Sequence, residues 1–166
     1  SFEERKHFFS AYLQKHQAST KRETWRHFCD LRAALWLTSS TPPSLSVPFL
    51  RKILLDIANE NFRQNKCPDD VAVICVALDK VRVLSAMFKS TGNRKVANFL
   101  LEYTESAAFD NTTDRRTLKG NSIESLSRQS VKNASALMRS GRPRLAAAFF
   151  LLARPPRIRE ALNLIC

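Results

Sequence analysis

The sequence predicts an all-α chain of stacked antiparallel helical hairpins, an α-solenoid segment of about nine helices. Three observations lead there. Apolar residues recur at three- and four-residue intervals along most of the chain, the spacing that gathers them on one face of a helix. Only 3 glycines and 7 prolines occur in 166 residues, and β-branched runs are few, so strands and their hairpin turns have almost no support. Finally, in the stretch 130–153, SVKNASALMRSGRPRLAAAFFLLA, two apolar stripes meet at one glycine. Val131, Ala134, Leu137 and Met138 form the first stripe, and Leu145, Ala148, Phe149 and Leu152 the second. Gly141 suits the left-handed residue that ends a helix, and Pro143, lacking an amide hydrogen, suits the first turn of the next. So short a turn makes the two helices antiparallel, and Ala146, Ala147 and Ala148 permit close approach to whatever lies alongside.

Taken in order, residues 2–17 read as a first helix, with Phe8, Phe9, Tyr12 and Leu13 apolar and Glu3 and Glu4 complementing the dipole of the first turn. Residues 20–37 read as a second, carrying Trp25, Phe28, Leu31, Leu35 and Trp36. These two form an N-terminal helical pair. The run 38–48, TSSTPPSLSVP, breaks the periodicity and is expected to be a linker, because Pro42 and Pro43 impose extended backbone before a helix starts near Ser46 or Val47. The segment 49–166 is then the solenoid. Its first helix runs to about Asn65 with Leu50, Ile53, Leu54, Ile57, Ala58 and Phe62 on one face. Pro68 opens the next, and Asp69 and Asp70 face its exposed amides. That helix is nearly all apolar from Val71 to Leu78, which predicts burial on several sides. Asp79 is expected to open a short helix with Val83, Leu84, Met87 and Phe88, and Thr91-Gly92-Asn93 to stop it. Another follows with Val96, Phe99, Leu100 and Tyr103. Residues 106–122 are polar and rich in turn formers, and are expected to form an exposed loop. A helix from Ser122 leads into the hairpin, and Pro155 or Pro156 starts the last one, with Ile158, Ala161, Leu162 and Ile165 apolar. That apolar face, at a chain end that begins with Ser and stops at Cys, is expected to belong to a piece of a larger protein, with a neighbour to cover it.

Composition narrows the function classes. A hydrophobic content of 44% excludes a disordered polymer, and the longest apolar runs fall far short of the ~18–20 residues of a membrane span. The cysteines (Cys29, Cys67, Cys75, Cys166) are scattered, and Cys75 lies inside VAVICVAL, so free buried thiols of a reducing compartment are expected. On the same ground the acceptor triplet Asn111-Thr112-Thr113 is read as a chance match. The net charge of +12 is uneven. Residues 1–40 hold 7 basic and 4 acidic side chains, residues 41–110 hold 9 and 8, and residues 111–166 hold 11 and 3. The C-terminal third therefore carries +8, a field that favours an acidic partner: nucleic acid, anionic lipid or an acidic protein surface.

Signatures of catalysis are missing. The chain contains no GxGxxG, GxxxxGK[ST], GxSxG or HExxH motif and no CxxC pair. Its histidines (His7, His16, His27) all fall in the first two helices without ligand-like neighbours, so no metal, cofactor or catalytic residue is assigned. The residues that do stand out are Arg139, Arg142, Arg144, Arg154, Arg157 and Arg159, which flank the hairpin at its turn and its far end. Arginine suits planar, bidentate pairing with carboxylates and equally with phosphates. They are the expected partner-binding set. An RNA-binding reading competes, but RNA readers pair such residues with exposed aromatics, and Phe149 and Phe150 lie in a dense apolar run.

The segments LRKILLDIANENFRQNKCPDDVAVICVALDKVRVLSAMFKS (50–90) and RQSVKNASALMRSGRPRLAAAFFLLA (128–153) carry a further observation. The first pairs a helix ending in a basic, Asn-containing turn with an acidic helix start, an apolar helix and a short helix ending in Phe-Lys. The second joins a Lys-Asn-Ala helix to an Ala-Phe-Phe-Leu-Leu helix, and EALNLIC follows. This order resembles the large subunit of the RAVE complex and its animal relatives, the rabconnectin or DMX-like proteins, over residues 31–166. Those proteins join amino-terminal β-propellers to an α-solenoid and act as scaffolds. The resemblance implies a solenoid segment that helps to assemble the vacuolar-type proton ATPase, returning its soluble sector to its membrane sector. By the same resemblance the partners are V-ATPase soluble-sector and RAVE-type subunits, and the location is cytoplasmic, peripheral to endosomal and vacuolar membranes. The first 30 residues lie outside it, the 38–48 run is longer than is usual in the family, and the 106–122 loop interrupts a junction the family keeps compact.

Overall fold

The computed structural model describes residues 43–110 and 122–165, together with single helical positions at 3, 4, 7, 8, 11 and 23. The rest of the two expected N-terminal helices, residues 38–42 of the expected linker and residues 111–121 of the expected loop lie outside the described residues. Seven longer helices are present and no strand occurs among the described residues: α1 (Pro43–Asn65), α2 (Asp69–Ala77), α3 (Val81–Ser90), α4 (Arg94–Asp110), α5 (Ile123–Arg139), α6 (Pro143–Leu151) and α7 (Ile158–Asn163). The chain divides into two compact units, Ser1–Gln64 and Asn65–Cys166.

In the first unit, α1 starts at Pro43, so the expected linker is helical over its last six residues and the helix begins earlier than Ser46. The reason lies in where the prolines fall. Pro43 occupies the first helical position, where its missing amide hydrogen would have had no intrahelical partner, and Pro48 removes one bond close to the helix start. Ile57 and Ala58 are the most enclosed residues of the expected apolar face, at 8% and 0% exposure.

The second unit is built around α6. Leu145, Ala146, Ala147, Ala148, Phe149 and Phe150 are all buried, so this helix is enclosed all round rather than on one stripe. It packs against α5, α2 and α7, while α3 pairs with α4, and α2 and α4 make further contacts with α3 and α5 respectively. The stack Phe99–Phe149, with ring centroids 5.3 Å apart and 19° between planes, joins α4 to α6. The Tyr103 hydroxyl donates to the Leu152 carbonyl oxygen at 2.6 Å, and the Ser85 hydroxyl to that of Ala97 at 2.7 Å. Each buried polar group thus has a partner, which removes the cost of drawing it out of water.

Three turns share one construction. After α2 the Lys80 amide donates to the Cys75 carbonyl (2.7 Å) and the Asp79 amide to that of Val76 (3.0 Å). After α3 the pairs are Asn93 to Phe88 and Gly92 to Lys89, and after α5 they are Arg142 to Leu137 and Gly141 to Met138. Each is a Schellman closure whose central residue has positive φ: Asp79 (58°), Gly92 (82°) and Gly141 (73°). Asp79 therefore ends α2 instead of opening α3, which begins at Val81. Aspartate tolerates this backbone because its short polar side chain can satisfy itself locally.

Two further expectations change. α4 runs through Ser106, Ala107 and Ala108 to Asp110, because alanine continues a helix well even without an apolar face. On α5 the buried face is Ile123, Leu126, Ser127, Ser130 and Ala134, so Met138 is 45% exposed and Val131 and Leu137 are half-buried. The Ser130 hydroxyl returns to the Leu126 carbonyl (3.0 Å), which lets a serine sit in an apolar seam. On α2, Val71, Ala72, Cys75 and Leu78 are buried, whereas Ala77 is exposed, so its enclosure is one-sided.

Candidate functional site

The six arginines singled out by the sequence separate into two groups. The first lies at the α5–α6 turn. Arg142 precedes α6, and its planar fork meets Asp69 in the first turn of α2: Nε donates to Oδ2 and Nη2 to Oδ1, both at 2.7 Å. Arg144, two residues on, donates to Asp70 Oδ1. The hydrogen bond to Asp69, with its charge, raises the Arg142 guanidinium above its ordinary pKa. Asp69 and Asp70 do not cap α2, since no side chain accepts from its first amides. Their carboxylates instead clasp two arginines more than seventy positions along the chain. Gly141 makes the clasp possible by turning the backbone so that Arg142 faces α2. A cavity of about 220 Å³ lies beside it, edged by Cys67 and Gly141.

The second group lies at the other end of α6. Arg154, Arg157 and Arg159, joined by Arg128 from α5, line a cavity of about 480 Å³ with Val131, Ile158 and Glu160. Arg128 was not in the sequence-predicted set, because only the packing of α5 against α6 brings it there. The Ser127 hydroxyl fixes the turn after α6, accepting from the Arg154 amide at 2.7 Å. Arg157 Nη1 stands 3.7 Å from Glu160 Oε1, with both side chains about half exposed, a solvent-screened pair of little energetic weight. Beside the cavity, Ile158, Leu162 and Ile165 are 58%, 52% and 48% exposed. Arg139 belongs to neither group. It is exposed in the last turn of α5, where its charge complements the carbonyl end of the helix dipole.

A third cavity, about 370 Å³, opens between α4, α5 and α6 over the Phe99–Phe149 stack, with Lys95 and Asn133 at its edge. Among the described residues no three His, Cys, Asp or Glu side chains are grouped to hold a metal ion, and no helix is long and apolar enough to cross a membrane. Burial pushes the Cys75 thiol up to about 11, so it is protonated and unreactive at neutral pH. Cys67 is a half-buried free thiol, and Cys29 and Cys166 lie outside the described residues. His7 is exposed, while His16 and His27 are outside.

Comparison with known proteins adds no assignment. No family profile, curated protein or solved structure matches the chain.

Proposed function

We propose that the chain is a non-catalytic scaffold, an α-solenoid segment of a RAVE/rabconnectin-like protein that promotes assembly of the vacuolar-type proton ATPase, soluble sector onto membrane sector. Its partners on this reading are V-ATPase soluble-sector subunits and other RAVE-type subunits. It works in the cytoplasm, held at endosomal and vacuolar membranes through those partners. The family assignment rests on the segment order at 50–90 and 128–153. The docking part rests on one observation: Arg128, Arg157 and Arg159 line one cavity in which Glu160 is the only carboxylate among the described residues. Guanidinium groups in that setting recognise carboxylates in bidentate geometry and steer an acidic surface during encounter.

An RNA-binding reading is disfavoured by a second observation. Sequence-tolerant RNA binding needs exposed rings on which bases stack, and the only two aromatics of the C-terminal third, Phe149 and Phe150, are 2% and 6% exposed. The test is a pull-down of V-ATPase soluble-sector subunits by the chain and by R154E/R157E/R159E, with association followed across a salt titration. The variant is expected to associate more slowly, with a weaker salt dependence, while its helical circular dichroism persists. Unchanged capture of the subunits together with lost binding to RNA would overturn the reading.

A further inference from the structure

We infer that the element received at the far end of α6 is an amphipathic helix with an apolar stripe beside an acidic edge, seated on α7 and the 480 Å³ cavity beside it. The inference rests on the scaffold reading above and names the chemistry of its partner. Ile158 and Leu162 lie one turn apart on α7 and Ile165 stands in the turn just after it, and each is about half exposed, so α7 and its end present an apolar ridge. Ala161, at 1% exposure, holds α7 against the rest of the unit and leaves that ridge outward. Arg159 follows Ile158 about 100° around α7, and Arg157 caps the start of the helix, so basic side chains stand beside the ridge at its beginning. Arg128 extends the basic edge around the cavity. A volume in the ~300–1,000 Å³ range of binding pockets accepts a bulky apolar side chain of the incoming helix.

Charge and polarity together choose the occupant. A second copy of this chain would set arginine against arginine, with Glu160 as the one carboxylate among the described residues of the cavity to offset them. A phosphate polymer would satisfy the arginines but leave three aliphatic side chains in water with no ring to stack on. An apolar stripe with Glu or Asp beside it satisfies both features, the helix-in-groove mode of recognition.

The probe is a fluorescent, designed helical peptide longer than about 15 residues, the length at which such helices become stable in water. It carries Leu at i, i+4 and i+7, flanked by Glu, and its partner is the same composition scrambled so that no stripe forms. Anisotropy with the full chain is expected to show binding of the striped peptide and at least about tenfold weaker binding of the scrambled one. Leu162→Ser and R157E/R159E are each expected to weaken the striped peptide about tenfold, with thermal melting showing that both variants stay folded. Equal binding of the two peptides would overturn the inference, as would indifference to Leu162→Ser, a concentration-dependent dimer in sedimentation, or tighter binding of polyphosphate that ignores Leu162→Ser. The subunit pull-down separates the two levels. Capture of V-ATPase subunits without peptide binding removes this inference and keeps the scaffold reading, and peptide binding without capture does the reverse.

Discussion

Phe149→Ala tests the packing on which the C-terminal unit depends. The ring is 2% exposed, sits on the most enclosed helix, and stacks on Phe99 at 5.3 Å. Deleting it removes apolar area that the surroundings cannot refill, since α6 is held by α5, α2 and α7 at once. Such changes cost about 3–5 kcal/mol. Roughly 0.5–1.5 kcal/mol of that belongs to the ring pair itself. For a chain of this size the loss corresponds to a fall in Tm of about 6–20 °C. Thermal melting followed by circular dichroism measures it. Phe99→Ala is expected to cost less, because that ring is 9% exposed against 2% for Phe149 and so has less packing to lose. The double variant should then fall short of the sum by the pair energy. A loss under about 1 kcal/mol for Phe149→Ala would refute the reasoning, because it would place the ring where water already reaches.

The clasp gives a second prediction: a double-mutant cycle on Asp69→Asn and Arg142→Gln, read by urea unfolding, is expected to show about 1–2 kcal/mol of coupling, above an exposed pair because the fork is bidentate and partly buried. Asp79→Gly is expected to stabilise by about 0.5–1 kcal/mol, since glycine adopts the positive φ of the α2 turn without strain. Gly141→Ala should lose a comparable amount through backbone strain alone, because no atom lies within 4 Å of the added methyl group. For Cys75 the folded thiol titrates near 11, above its ordinary value of 9.0, so the folded state holds the proton more tightly. Its contribution is complete below about pH 9 and is lost as pH rises toward 11, so Cys75→Ala should flatten the stability profile over that window. With Cys29 and Cys166 replaced by Ser, an aromatic disulfide reagent at neutral pH should modify Cys67 and leave Cys75 untouched until the chain is unfolded.

What the sequence disclosed follows the range of the interactions. Helix type and the Gly141 turn were legible because they depend on neighbours within a few residues, and the burial of Leu145, Ala148, Phe149 and Leu152 followed from their spacing. Boundaries were less legible where two local preferences compete. At Pro43 and Pro48 a helix-disrupting residue stands where disruption removes little, and at 106–108 polarity argued for a loop while alanine continued the helix. Asp79 was misplaced because aspartate serves helix starts and left-handed helix ends alike. The arginine cluster was visible as composition, but its division was not. That Arg142 and Arg144 meet Asp69 and Asp70, and that Arg128 joins Arg154, depends on α2 and α5 both packing on α6, information held in no local window.

The clasp has a bearing on how the protein presents its charge. Asp69 and Asp70 occupy their arginines as an acidic ligand would, so this edge is an already occupied binding site whose ligand is part of the chain. Polyanions in solution compete with carboxylates fixed at contact distance, and they lose as long as α2 stays in place. Opening of α2, or replacement of its two aspartates, uncovers a fresh cationic edge, so damage here adds affinity instead of removing it. Retention on a polyanionic matrix then reports local opening, rising while most of the helical signal is still intact.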